Sequence, residues 1–127
     1  MGVALCSHLC VSAQAAPKTA VATRIEVQTE GDATLFTAEL TAVAAFTATA
    51  LTNPDRVVVD LANVGFKLPT GAGRKVKGLI RQVRYGVIEK GKARIVIDTN
   101  GPVKVQRTEL LPQKGKTKPR LVVALVA

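Results

Sequence analysis

Apolar and polar residues alternate with a period of two along most of this chain, and no stretch sustains a helical period. In RIEVQ (24–28), Ile25 and Val27 fall on one face while Arg24, Glu26 and Gln28 fall on the other. That is the pattern of a strand with one side on a core and the other in water. The same reading gives a strand at ATLFTAEL (33–40), after the turn residues Glu30-Gly31-Asp32. It gives another at FTATAL (46–51), where Phe46, Ala48 and Ala50 oppose Thr47 and Thr49. In the turn Asn53-Pro54-Asp55 the fixed φ of proline suits a β-turn, and its missing N–H is not needed outside a ladder. RVVVDL (56–61) returns as a continuous apolar run, which suits a strand in the middle of a sheet.

The alternation breaks at ANVGFKLPTGAGRKVKGLI (62–80). Its Gly65, Pro69, Gly71, Gly73 and Gly78 predict a long irregular connection or crossover over 65–79, leaving open a short helix within it. Strands resume with IRQVRYGVI (80–88), the turn Glu89-Lys90-Gly91-Lys92, and ARIVID (93–98). Asn100-Gly101-Pro102 turns into VKVQRTEL (103–110), and a Lys/Gly-rich loop (112–119) leads to RLVVALV (120–126). About eight short strands with turn signals between them predict an all-β sandwich of two similar sheets.

A repeat runs through this pattern. RVVVDLANV (56–64) and RIVIDTNGP (94–102) each hold an arginine, three branched aliphatics and an aspartate, 38 positions apart. The hairpins FTATAL-TNPD-RVVVDL and VRYGVI-EKGK-ARIVID are expected to be equivalent units, one in each sheet. Asp60 and Asp98 raise the question of catalysis, because paired carboxylates act together when they face one cleft about 5–9 Å apart. Each ends an apolar strand, however, where a carboxylate can bond turn amides or a neighbouring arginine. Arg56, Asp60, Arg94 and Asp98 are therefore expected to be structural, strand-end groups.

Other chemistry is thin. Cys6, Cys10 and the single histidine, His8, lie within the first ten residues, as does Ser7, with Ser12 just beyond. The opening MGVALCSHLCVSAQAAPK has a short apolar run followed by Ala13-Gln14-Ala15, an A-x-A match that predicts a secretory leader over 1–15 cleaved after Ala15. No positive residue precedes the apolar run, so the true start is expected upstream. Leu5 and Leu9 occupy places where lipid-modified cysteines want a small residue. Cleavage would leave no thiol, no disulfide and no histidine, and so no Cys/His zinc cluster and no serine–histidine pair. No GxxxxGK[ST] phosphate loop is present, and GAGRK reads as a flexible basic turn. The sequence thus predicts no catalytic residue, no metal and no cofactor. No apolar run reaches the ~18 residues of a membrane span. The remaining organisation is a linker over 16–23 and a domain over 24–127. The abrupt stop after an apolar strand suggests that more sequence follows in the parent.

Charge changes the picture most. Residues 1–66 hold three Lys/Arg against six Asp/Glu, and residues 67–127 hold fifteen against three, for a net charge of +9. A polarised basic half predicts an anionic partner. Arg74, Lys75, Lys77, Arg81, Arg84, Tyr85, Lys90 and Lys92 form the candidate binding face, and Lys114, Lys116 and Lys118 crowd the last loop. A solvated rim that only aids solubility is the plainer alternative. Nucleic acid is disfavoured, since single-strand binders stack bases on several aromatics and only Tyr85 stands among these charges. A wall polymer gripped by charge and hydrogen bonds, such as peptidoglycan with its stem-peptide carboxylates, fits better.

TNPDRVVVDLANVGF, then GLIRQVRYGVIEKGKARIVIDTNGP, then a terminal aliphatic strand resemble the AMIN domain. The likeness covers about residues 24–126, and the order, spacing and turn residues match together. What it implies is a two-sheet β-sandwich, secreted to the periplasm, standing N-terminal to the zinc-dependent catalytic domain of N-acetylmuramoyl-L-alanine amidases. There the module binds peptidoglycan and directs the enzyme to the cell division site. The same module occurs in secretins of type IV pilus systems, which would add envelope or divisome proteins as partners. No zinc-ligand or catalytic glutamate motif of the amidase is present, so hydrolysis does not carry over. The family supplies no ligand-binding motif to map, and the candidate face rests on charge alone. A small basic nucleic-acid-binding protein is the reading from another class.

Overall fold

The computed structural model describes residues 19–74, 76–112 and 114–127. Lys75 and the leader with Cys6, His8, Cys10 and Ala15 lie outside the described residues. Among those described, nine strands form two sheets: β1 (Ala20–Glu30), β2 (Ala33–Leu40), β3 (Phe46–Leu51), β4 (Arg56–Ala62), β5 (Val64–Phe66), β6 (Ile80–Glu89), β7 (Lys92–Thr99), β8 (Lys104–Leu111) and β9 (Arg120–Val126). The first sheet has the order β5-β1-β2-β9-β8 and the second β3-β4-β7-β6. Neighbours are antiparallel except β5, which lies parallel to β1.

The period of two decides which side chains meet. Phe36, Ala38 and Leu40 of β2 share the inner face with Leu121, Val123 and Leu125 of β9. Val57, Val59 and Leu61 of β4 face them from the second sheet beside Ala93, Ile95 and Ile97 of β7. All twelve are buried and belong to one cluster, so the two inner faces make a single core. Branched and aromatic side chains fill it, each contributing about 1.5–3 kcal/mol on burial.

β1 begins at Ala20, four residues ahead of the alternation visible in RIEVQ. Ala20 and Ala22 face the core, and a bulge between Ala22 and Arg24 shifts the parity so that Ile25 and Val27 follow them inward.

Two expectations are corrected. The 65–79 connection is not wholly irregular: Val64–Phe66 is a strand, and Ala72–Arg74 forms one turn of 3-10 helix. Three residues with a central glycine are too few to show alternation, and β5 exists only because β1 offers it a parallel edge at Ala20–Ala22. The two hairpins also do not lie one in each sheet; both lie in the second sheet, where β4 and β7 are its central strands. The repeat pairs with itself. Antiparallel register sets Arg56 opposite Asp98 and Asp60 opposite Arg94, and opposite charges facing each other across strands favour that pairing.

Candidate functional site

The outer face of the second sheet carries the repeat. Asp60 stands between Thr47 of β3 and Arg94 of β7, while Asp98 stands between Arg56 of β4 and Gln82 of β6. Arg94 Nε donates to Asp60 Oδ1 at 2.8 Å, and both side chains are about half exposed. Arg84 binds Asp98 through two hydrogen bonds, Nε to Oδ2 and Nη2 to Oδ1, each 3.0 Å. The Asp98 side chain is only 5% exposed. Its hydrogen bond, and then its charge, hold the Arg84 guanidinium above its ordinary basicity. Arg56 faces Asp98 in register but turns away, donating from Nη1 to the carbonyls of Pro54 (2.8 Å) and Thr52 (3.3 Å). The turn before β4 is thus closed by the strand's own first residue.

Asp60 and Asp98 lie on adjacent strands but four residues apart along them. That puts their backbones roughly 13–14 Å apart, beyond the 5–9 Å at which two carboxylates share one bond. Each instead has an arginine to itself.

The basic residues picked out by sequence fall in three places. Arg81 and Arg84 lie near the start of β6, Arg81 as the extra residue of the bulge between Ile80 and Gln82. Lys90 and Lys92 lie at the turn that ends β6, where Lys92 Nζ approaches Glu89 at 3.4 Å. Nine residue steps along β6 separate Arg81 from Lys90, roughly 30 Å. Tyr85, on β6, tilts against Phe66 of β5 with ring centroids 5.0 Å apart, joining the sheets at one edge. Arg74 and Lys77 lie elsewhere, on the crossover from β5 to β6.

There the crossover and β1 enclose a cleft of about 530 Å3, lined by residues 24–28 on one side and by 69–72, Arg74, Val76 and Lys77 on the other. Arg24 Nη2 binds Glu26 Oε2 at 2.8 Å, so those two charges cancel. Arg74 and Lys77 have no acidic partner among the described residues.

A second hollow, about 560 Å3, opens at the end of the other sheet between Phe46, Leu61, Ile88 and Ala93, with the Asp60–Arg94 pair on its wall. Beside it Val87 and Ile88 are more than half exposed on the edge strand β6.

Sequence reasoning named Arg74 and Lys77 but missed Arg24, which alternation alone sends to solvent. No local signal marks it, because the cleft exists only where β5 stops short and leaves the rest of β1 uncovered.

No helix among the described residues is long and apolar enough to cross a membrane. A search of curated proteins finds no match. A match to the AMIN domain covers residues 18–125, and so both sheets from β1 into β9. AMIN domains are non-catalytic peptidoglycan-binding and targeting modules of envelope proteins. By that match, over nearly its whole length, the chain belongs to the AMIN domain family.

Proposed function

We propose that this chain is the peptidoglycan-binding and localisation domain of an N-acetylmuramoyl-L-alanine amidase. It would work in the bacterial periplasm, holding the hydrolase on the wall at the division site. The observation that carries the reading is the family match over both sheets. Charge supports it: fifteen Lys/Arg stand against three Asp/Glu from residue 67 onward. Of these cations Arg74, Lys77, Arg81 and Lys90 are exposed and without acidic partners among the described residues. Such groups attract a polyanion and keep contact with it through hydrogen bonds. The leader-like residues 1–15 and the binding module that follows them fit an exported protein.

One observation favours a second reading. Tyr85, Val87 and Ile88 expose apolar surface on the edge strand β6, which suits docking of an envelope protein, as in a type IV pilus secretin. Nucleic acid is a weaker candidate, since Tyr85, the aromatic among the charges, already packs one side against Phe66.

The test is retention of the purified protein on peptidoglycan sacculi across a salt series, beside single- and double-stranded nucleic acid. Retention at physiological salt with weak, salt-labile nucleic-acid binding is the expected result. Release from sacculi at moderate salt would reduce the charge to a generic effect and move protein docking to the front.

A further inference from the structure

We infer that the cleft between β1 and the crossover residues 69–72, Arg74, Val76 and Lys77 is the seat of a stem-peptide carboxylate of peptidoglycan. The inference rests on the wall-binding reading and adds to it which part of the polymer is held, and where.

The first observation is an open strand edge. β5 pairs only with Ala20–Ala22, so among the described residues β1 from Arg24 onward has no strand on that side. Such an edge offers alternate N–H and C=O groups to an extended peptide backbone. The second is that the opposite wall is fastened in place. At Gly73 the crossover lies so close to the Val83 carbonyl that a side chain there would overlap it. At its other end Gly78 lies against Thr34 and Thr29, and the Leu79 N–H donates to Thr34 Oγ1 at 3.1 Å. The gap between wall and edge is therefore built before any ligand arrives.

The third observation is charge. Arg24 and Glu26 satisfy each other, which leaves Arg74 and Lys77 as two cations with no acidic partner among the described residues. A guanidinium fork and an ammonium suit a carboxylate. Size and chemistry narrow the occupant further. About 530 Å3 accommodates a few peptide residues and no folded partner. The lining holds no aromatic ring on which a sugar or base could stack.

The test compares the wild-type protein with R74A/K77A, two exposed positions whose loss leaves the core intact. Three probes are used: whole sacculi, glycan strands stripped of stem peptides, and a soluble disaccharide-tetrapeptide. The expected result is saturable binding of the disaccharide-tetrapeptide, weakened about 10- to 100-fold in the variant, with stripped glycan bound poorly by both proteins. Amide NMR shifts on adding the disaccharide-tetrapeptide should concentrate at residues 24–28. Equal binding of stripped glycan and whole sacculi, unchanged in R74A/K77A, would overturn the cleft while leaving wall binding standing. Failure to bind any of the three probes would overturn the wall reading and this inference with it.

Discussion

The two copies of the Arg-aliphatic-Asp repeat allow one chemical change to be made in two environments. Replacing Arg84 by alanine removes both hydrogen bonds to Asp98, a carboxylate 5% exposed. Removing one partner of a fully buried ion pair costs about 3–5 kcal/mol. Arg84 is itself 56% exposed, however, and water can enter on its side. A loss of about 2 kcal/mol is therefore expected, the cost of leaving a mostly buried charge with water alone. Replacing Arg94 instead frees Asp60, about half exposed and already hydrated, and should cost less than about 1 kcal/mol. The assay is urea unfolding followed by circular dichroism, in which Arg84→Ala should lower the midpoint by roughly 1 M and Arg94→Ala by much less. Double-mutant cycles with Asp98→Ala and Asp60→Ala isolate the pair terms. The Arg94–Asp60 coupling should fall further in high salt, because both of its groups face solvent. Equal losses for the two arginines, or a cycle near zero for Arg84 and Asp98, would refute the argument that burial separates the two copies.

Other expectations follow from packing. Gly73→Ala would place a methyl group into the Val83 carbonyl oxygen, and neither backbone yields easily, so about 1–3 kcal/mol should be lost, read as a lowered thermal midpoint. Ile95→Ala, at a fully buried position of β7, should cost about 3–4 kcal/mol. Val96→Ala, one residue on and facing outward, should cost under about 1 kcal/mol; similar losses at both would contradict the inward–outward assignment. Asp60→Asn should change stability slightly and create or abolish no hydrolysis of sacculi, measured by release of soluble wall fragments. Any turnover lost in that variant would overturn the structural role of the repeat.

Much of the scaffold was legible because alternation is a local property. FTATAL and RLVVALV begin and end as strands where the pattern begins and ends, at Phe46–Leu51 and Arg120–Val126. Glycine and proline marked the turns, since they meet dihedral needs that other residues meet poorly. β5 was not legible: three residues carry no period, and its bonds go to a strand more than forty residues earlier. The candidate site was legible only as a surplus of cations. Which of them stand free depended on where acids are brought by folding. Arg84 and Lys92 meet Asp98 and Glu89, whereas Arg74 and Lys77 meet no acid among the described residues.

The sequence by itself determined the class of structure, the strand faces and the sign of the domain's own charge, because each follows from residue type and short-range order. The tertiary structure alone decided partnership. RVVVD and RIVID are nearly the same five residues, yet one aspartate is half exposed and the other almost fully buried. The difference lies in the flanking strand: β6 brings Gln82 and Arg84 beside Asp98, while β3 brings Thr47 beside Asp60. Register also placed the two copies side by side in one sheet, where each arginine faces the other copy's aspartate. Strand pairing joins residues far apart in the chain, and its energy depends on all the rows of a sheet together, so no local pattern encodes it.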